Sequence, residues 1–176
     1  MLIPIIPTFV RSFQPAFNIN LAGDAGGSTT QTNVVKILPA ALSVTGTRVK
    51  IRVRSGQTAA LSLTACYIGL SATTGSAWNF AAAATQITFG GVGTLTLGAQ
   101  QEIESDAVDF VVDKSAAISI AFSVSANSRH AFSTSVGGNF IRYFLNSVSE
   151  ASSTTKTAGY SNTGSRLDLI ESLILA

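Results

Sequence analysis

The strongest pattern in the chain is the run Arg48-Val49-Lys50-Ile51-Arg52-Val53-Arg54, basic at every even position and β-branched at every odd one. A strict period of two marks a strand with one face in a core and the other turned to water or to an anionic neighbour. Weaker forms of the pattern predict strands over 58–69, 84–89, 93–98, 102–112, 116–125, 130–136 and 139–146, with a last one near 167–175. Gly or Ser/Asn breaks part them, at Gly56, Gly75, Gly90-Gly91, Gly98, Asn127-Ser128 and Gly137-Gly138. Short strands at this spacing, with no long helical period, predict an all-β fold: an antiparallel β-sandwich of the jelly-roll kind. Residues 78–84 are too short to decide for a helical turn. The tail 167–175 fits either period and is read as strand.

Two polar, glycine-bearing stretches, 12–33 and 147–165, read as loops or docking segments, since structureless loops of this length are often functional. The start, Met1 to Val10, is apolar, has no basic region and is interrupted by Pro4 and Pro7. It reads as an extended arm, not a secretory leader. An apolar arm needs a cover, so Ile3, Pro4, Ile5, Ile6, Pro7 and Phe9 are expected to dock on a neighbouring subunit or on a capsid. The expected organisation is a docking arm over 1–32 and a jelly-roll domain over 33–176.

Composition narrows the classes. Of 176 residues 46% are hydrophobic and 11% charged, and 11 Lys and Arg against 9 Asp and Glu leave a net charge of +2. Mean hydropathy is +0.38. Disorder needs the opposite balance, and heptads for a coiled coil are missing. So mild a basic excess argues against a nucleic-acid partner. No apolar window reaches about 18 residues, so no membrane insertion by a helix is expected. The single Cys66 has no intramolecular partner and lies in the alternating run 61–68, where it reads as a buried, inert thiol.

Candidate chemistry is sparse. His130 is the sole imidazole, and no serine sits in a G-x-S-x-G elbow, so a hydrogen-bonded structural histidine or a ligand contact is preferred to a catalytic base. Glu102, Glu104 and Asp106 would share one face of a regular strand. Carboxylates so placed suit Ca²⁺ or acid/base work on a sugar, but the preferred reading pairs them with the Arg48–Arg54 stripe or leaves them solvated. That stripe has no interleaved aromatics for stacking bases. Trp78 beside Asn79 offers a ring face and an amide suited to a sugar, and a core tryptophan fits the same residues equally well. No metal and no cofactor is expected.

Taken in order, Arg48-Val49-Lys50-Ile51-Arg52-Val53, Ile68-Gly69-Leu70, Ile87-Thr88-Phe89-Gly90-Gly91, Leu95-Thr96-Leu97-Gly98-Ala99, Ser105-Asp106-Ala107-Val108, Ile118-Ser119-Ile120 and Arg129-His130 form a characteristic succession. It resembles the non-catalytic, carbohydrate-binding jelly-roll domain that accompanies SGNH/GDSL-type esterases. The resemblance covers residues 48 to about 145 and departs at Ala107, where the family has proline, and at Arg54, where it commonly has Asn. Trp78 and Asn79 by their chemistry, and Arg129 and His130 by the resemblance, are the expected carbohydrate contacts. Gly23-Asp24-Ala25 stands where a hydrolase would have G-D-S, and Asn127-Ser128-Arg129-His130 where it would have D-x-x-H, so no hydrolysis is expected. The chain ends about where such proteins enter the hydrolase, so the domain is expected to stand alone.

Similar modules occur in head spikes, head fibres and tail fibres of phages and of phage-like gene transfer agents. By that analogy the chain is expected on the exterior of a virion. There it would be a homo-oligomer, trimeric or pentameric, contacting other virion proteins and host surface polysaccharide. The alternative is a capsid decoration or cement protein that stabilises the head without binding glycan.

Overall fold

The computed structural model describes residues 12–176. The expected docking residues Ile3, Pro4, Ile5, Ile6, Pro7 and Phe9 lie outside the described residues. The strands are β1 (Gln14–Asn18), β2 (Gly23–Gly26), β3 (Gln31–Ile37), β4 (Gly46–Arg54), β5 (Leu61–Leu70), β6 (Thr85–Gln86), β7 (Leu95–Leu97) and β8 (Glu102–Glu104). They continue with β9 (Val108–Val112), β10 (Ile118–Val124), β11 (Arg129–Ser133), β12 (Phe140–Asn146), β13 (Ser161–Ser165), β14 (Leu167–Asp168) and β15 (Ile170–Leu175).

One sheet runs β1-β15-β4-β8, with β9 also on β4, and the facing sheet runs β13-β12-β3-β10-β5-β6, with β7 also on β5. The pairings β1 with β15, β3 with β10, β4 with β8 and β9, and β5 with β6 and β7 are all antiparallel and nested, first strand against last. That nesting is a jelly roll. The odd positions of β4 (Val49, Ile51, Val53) meet Ile68 of β5 and Ile120 and Phe122 of β10 in the main core. β10 is buried on both faces, because segments 76–84 and 147–160 cover the outer side of its sheet with Trp78, Phe80, Ala151 and Tyr160.

Three expectations change. Within the segment expected as an arm, β1 is an edge strand of the sandwich, with Gln14 opposite Leu175 and the Phe17 ring edge-on against Phe140 at 5.0 Å, and β2 pairs with β11. The stretch 147–165 is a loop over 147–160, held against the sheet, and a strand beyond it. Its backbone reaches sheet hydroxyls, with Glu150 N donating to Thr32 Oγ1 and Ala151 N to Ser123 Oγ, and its last residues form β13. The expected strand 102–112 breaks at Ser105, which turns its hydroxyl inward to accept from Ile51 N at 3.0 Å.

Between β10 and β15 the chain makes an excursion. β12 and β13 extend the larger sheet, while β11 and β14 join β2 in a small third sheet. The excursion ends at Leu169, fully buried with φ +66°, whose N–H serves Ala131 and whose carbonyl serves Arg54. A β-sheet neighbour in the left-handed region is uncommon, and here it turns the chain from the small sheet into the five-stranded one.

Candidate functional site

The excursion builds a buried ionic cluster. Asp168 has no solvent exposure. His130 Nε2–H donates to Asp168 Oδ2 at 2.9 Å, and Arg166 clasps both oxygens, from Nε to Oδ1 at 2.5 Å and from Nη2 to Oδ2 at 2.9 Å. Arg142 Nε lies 3.0 Å from the same carboxylate and also donates to Asn33 Oδ1, while Nη2 reaches Asn33 and Gln31. Burial works to raise the Asp168 carboxyl, but the His130 hydrogen bond and the two guanidiniums hold it below the usual range. Burial, opposed by Asp168 and reinforced by Arg166, brings Arg142 down to about 10, so it stays charged at neutral pH.

Local sequence explains the assembly. On β12, Arg142 and Phe144 alternate with Tyr143, so both share a face with Asn33 and Val35 of β3. Each guanidinium lies over a ring, Arg142 over Phe144 at 4.2 Å and Arg166 over Phe132 at 3.7 Å. β2 approaches β11 closely because it is built of glycines: a Cβ at Gly23 would meet the Phe132 ring, and one at Gly26 the Ser128 carbonyl.

Above the cluster opens a cleft of about 380 Å³, lined by Asp24, Arg129, Phe132, Arg142, Phe144 and Arg166, with Gln31, Asn146 and the Gly26-Gly27 backbone at its sides. Its volume falls in the usual range for small-ligand sites. Arg129, half-buried at the rim, donates from Nη1 to Gly26 O at 3.3 Å. Asp24 points its Oδ2 away, to the backbone and hydroxyl of Thr58.

The four expected carbohydrate contacts are thereby separated. Arg129 lines the cleft, and adjacent His130 lies beneath it at 0% exposure, its ring edge-on to Phe122. The His130 side chain has no surface for a ligand in this state; its contact with the cleft runs through Asp168. Trp78 and Asn79 lie with Tyr143 on the opposite face of the larger sheet. There Trp78 stacks on Tyr160 at 5.5 Å, and the Asn79 side-chain Oδ1 accepts from Lys156 N. Asn79 also borders a separate shallow hollow with Thr73, Thr74 and Thr155.

Sequence reasoning missed Asp168, Arg142 and Arg166. The available signal was a lone charge inside each apolar strand or next to one, where an unpaired carboxylate or guanidinium would be costly.

The basic stripe meets acidic neighbours within the chain. Arg48 pairs with Asp109 at 3.4 Å, Arg52 with Glu104 at 2.8 Å and Arg54 with Glu171 at 3.3 Å, while Lys50 lies over Phe13. Asp106 does not share a strand face with Glu102 and Glu104. Past the break at Ser105 it accepts from Gly91 N, Thr88 Oγ1 and Gly90 N, which hold its carboxyl below the usual range. The Ile87–Gly91 and Ser105–Val108 pieces of the sequence therefore form one turn brace. Among the described residues no three His, Cys, Asp or Glu side chains group as a metal site, and no helix is long and apolar enough to cross a membrane. The chain matches no protein-family model and no curated protein sequence.

Proposed function

We propose that this chain is a non-catalytic, glycan-binding jelly-roll protein of a virion exterior, of head-spike, head-fibre or tail-fibre type. It works as a homo-oligomer, contacting other virion proteins and host surface polysaccharide. The observation that carries the binding half is the cleft over β2, β11 and β12, which combines stacked aromatic and guanidinium planes with amides in one concavity. Sugars are held in this way, by flat faces against their CH groups and by donors and acceptors for their hydroxyls. The virion assignment rests on the jelly-roll topology and on analogy: residues 48 to about 145 resemble the carbohydrate-binding domain that accompanies SGNH/GDSL-type esterases, and similar modules occur in phage spikes and fibres.

The test is binding of the purified oligomer to a glycan array and to whole cells, with Arg129→Ala in parallel. Retention on some host polysaccharide, lost in the variant, supports the reading, and no binding at high avidity removes it. A decoration role without glycan binding is favoured by one observation, the exposure of the apolar side chains Val92, Ile103 and Val111. Loss of particle stability on omitting the protein, with no glycan binding, would select that role.

A further inference from the structure

We propose that the ligand of this cleft is an acidic sugar, bound through its carboxylate to Arg129 with Arg142 and Arg166 behind it. This rests on the glycan reading above and names the substrate class of the same site.

Charge is the first argument. Three guanidiniums, Arg129, Arg142 and Arg166, face two carboxylates, Asp24 and Asp168, leaving one positive charge in excess. Asp168 is sealed beneath the cleft and does not meet an incoming anion in the open space, while Asp24, on the wall, turns its Oδ2 to Thr58 and has its Oδ1 enclosed. Coulombic attraction is stronger in such a half-buried concavity than on an open surface, because water screens it less.

Free donors are the second argument. Arg166 uses Nε and Nη2 on Asp168, Arg142 uses Nε and Nη2 on Asn33, Gln31 and Asp168, and Arg129 uses Nη1 on Gly26. That leaves Nη1 of Arg142, Nη1 of Arg166, and Nε with Nη2 of Arg129 without an acceptor among the described residues. None of these four nitrogens is both fully enclosed and without a partner, and the three residues line the cleft. On Arg129 the free pair is Nε and Nη2, the edge that meets a carboxylate with two parallel hydrogen bonds.

Preorganisation is the third. Phe144 and Phe132 fix the planes of Arg142 and Arg166, and Asp168 fixes their rotamers. Little side-chain freedom remains to be lost on binding. Gln31 Nε2 donates to Asn146 Oδ1 at 2.8 Å, which orients the Asn146 amide nitrogen as a donor for ring hydroxyls.

A nucleic acid fits less well, because backbone binding needs a basic track with several phosphate contacts. The one long basic stripe here has three of its four cations paired with Asp109, Glu104 and Glu171.

Calorimetric titration of the full chain tests the proposal with oligogalacturonate, hyaluronan tetrasaccharide and sialyllactose. Each is set against its uncharged counterpart: the methyl ester, the carboxyl-reduced sugar and lactose. Inorganic phosphate and a single-stranded oligonucleotide are run as further probes. Expected is about tenfold or stronger preference for at least one acid over its neutral partner, shrinking as salt rises. Arg129→Gln should abolish the preference while the variant still unfolds in one cooperative transition, which shows that the loss is not unfolding. Asn146→Ala should weaken acid and neutral forms alike. Equal binding of acid and neutral sugars, or a preference untouched by Arg129→Gln, overturns the acidic-sugar inference and leaves the glycan reading standing. Phosphate or oligonucleotide binding tighter than every uronate overturns it in favour of a phosphate ligand. Failure of every sugar here and on the array removes both.

Discussion

Replacing Asp168 with Asn is the sharpest test of the ionic cluster. The carboxylate has no exposure and pairs with two guanidiniums while accepting from His130, so its loss strands Arg142, itself 4% exposed, beside Arg166 with no counter-charge. Breaking a buried pair by removing one partner costs about 3–5 kcal/mol, a large part of the roughly 5–15 kcal/mol that holds a domain together. With a guanidinium m-value of about 4 kcal/mol per molar, the midpoint should fall by about 1 M. The pH dependence supplies a second check. Asp168 has a folded pKa below its unfolded value, so its contribution is complete above the unfolded carboxyl range and is lost as pH falls through the folded pKa. The difference between wild type and Asp168→Asn should therefore be flat from about pH 5 to pH 8 and shrink below about pH 4. Chemical unfolding followed by tryptophan fluorescence at several pH values reads both. A loss under about 1 kcal/mol, or a difference that does not shrink in acid, would refute a charge-locked cluster.

Three further outcomes follow from the same geometry. Cys66 is fully buried, which pushes its thiol up to about 12, so thiol reagents should label it only as fast as the chain opens; rapid labelling of native protein would contradict this. Gly26→Ala should cost about 2 kcal/mol or more, because φ of +148° and the Ser128 carbonyl leave no room for a methyl group, and an unchanged melting temperature would show that β2 is wrongly placed. Burial brings Lys156 down to about 8, with Glu150 opposing, so its protonation favours the unfolded chain below that pH and the penalty lifts as pH rises from about 8 to about 10.5. Lys156→Met should stabilise the protein by about 1 kcal/mol at pH 7 and flatten that alkaline rise in urea titrations; equal slopes in both proteins would exclude the effect.

β4 was legible because its two faces differ in kind: β-branched side chains fill the core and cations pair with acids on β8, β9 and β15. β3 was not, because its first residues, Gln31, Thr32 and Asn33, are polar yet buried. They serve Arg142, Ser123 and the chain near Glu150, partners more than 90 residues away, and no local window carries that information. β2 hides for another reason, since Gly23-Asp24-Ala25-Gly26 has loop composition and is strand only because Phe132 and Arg129 press on it. At the site, the Arg129-His130 dipeptide pointed to the right strand. Alternation then put one residue in the cleft and the other under it, where His130 meets Asp168.

The nested pairing of the sandwich has a consequence for how the chain comes to be folded. β15, the last strand of the sandwich in chain order, lies between β1 and β4, with Leu173 opposite both Phe17 and Ile51. During translation the first sheet thus has a gap at its centre, and β1 and β4 expose unpaired edges until residue 175 has emerged. Contacts so distant in sequence form slowly, and open edges in the interval invite pairing with another copy. In a protein proposed to assemble from identical subunits, that interval is when a strand of one copy can fill the gap of the next, and when the nascent chain has most need of a chaperone.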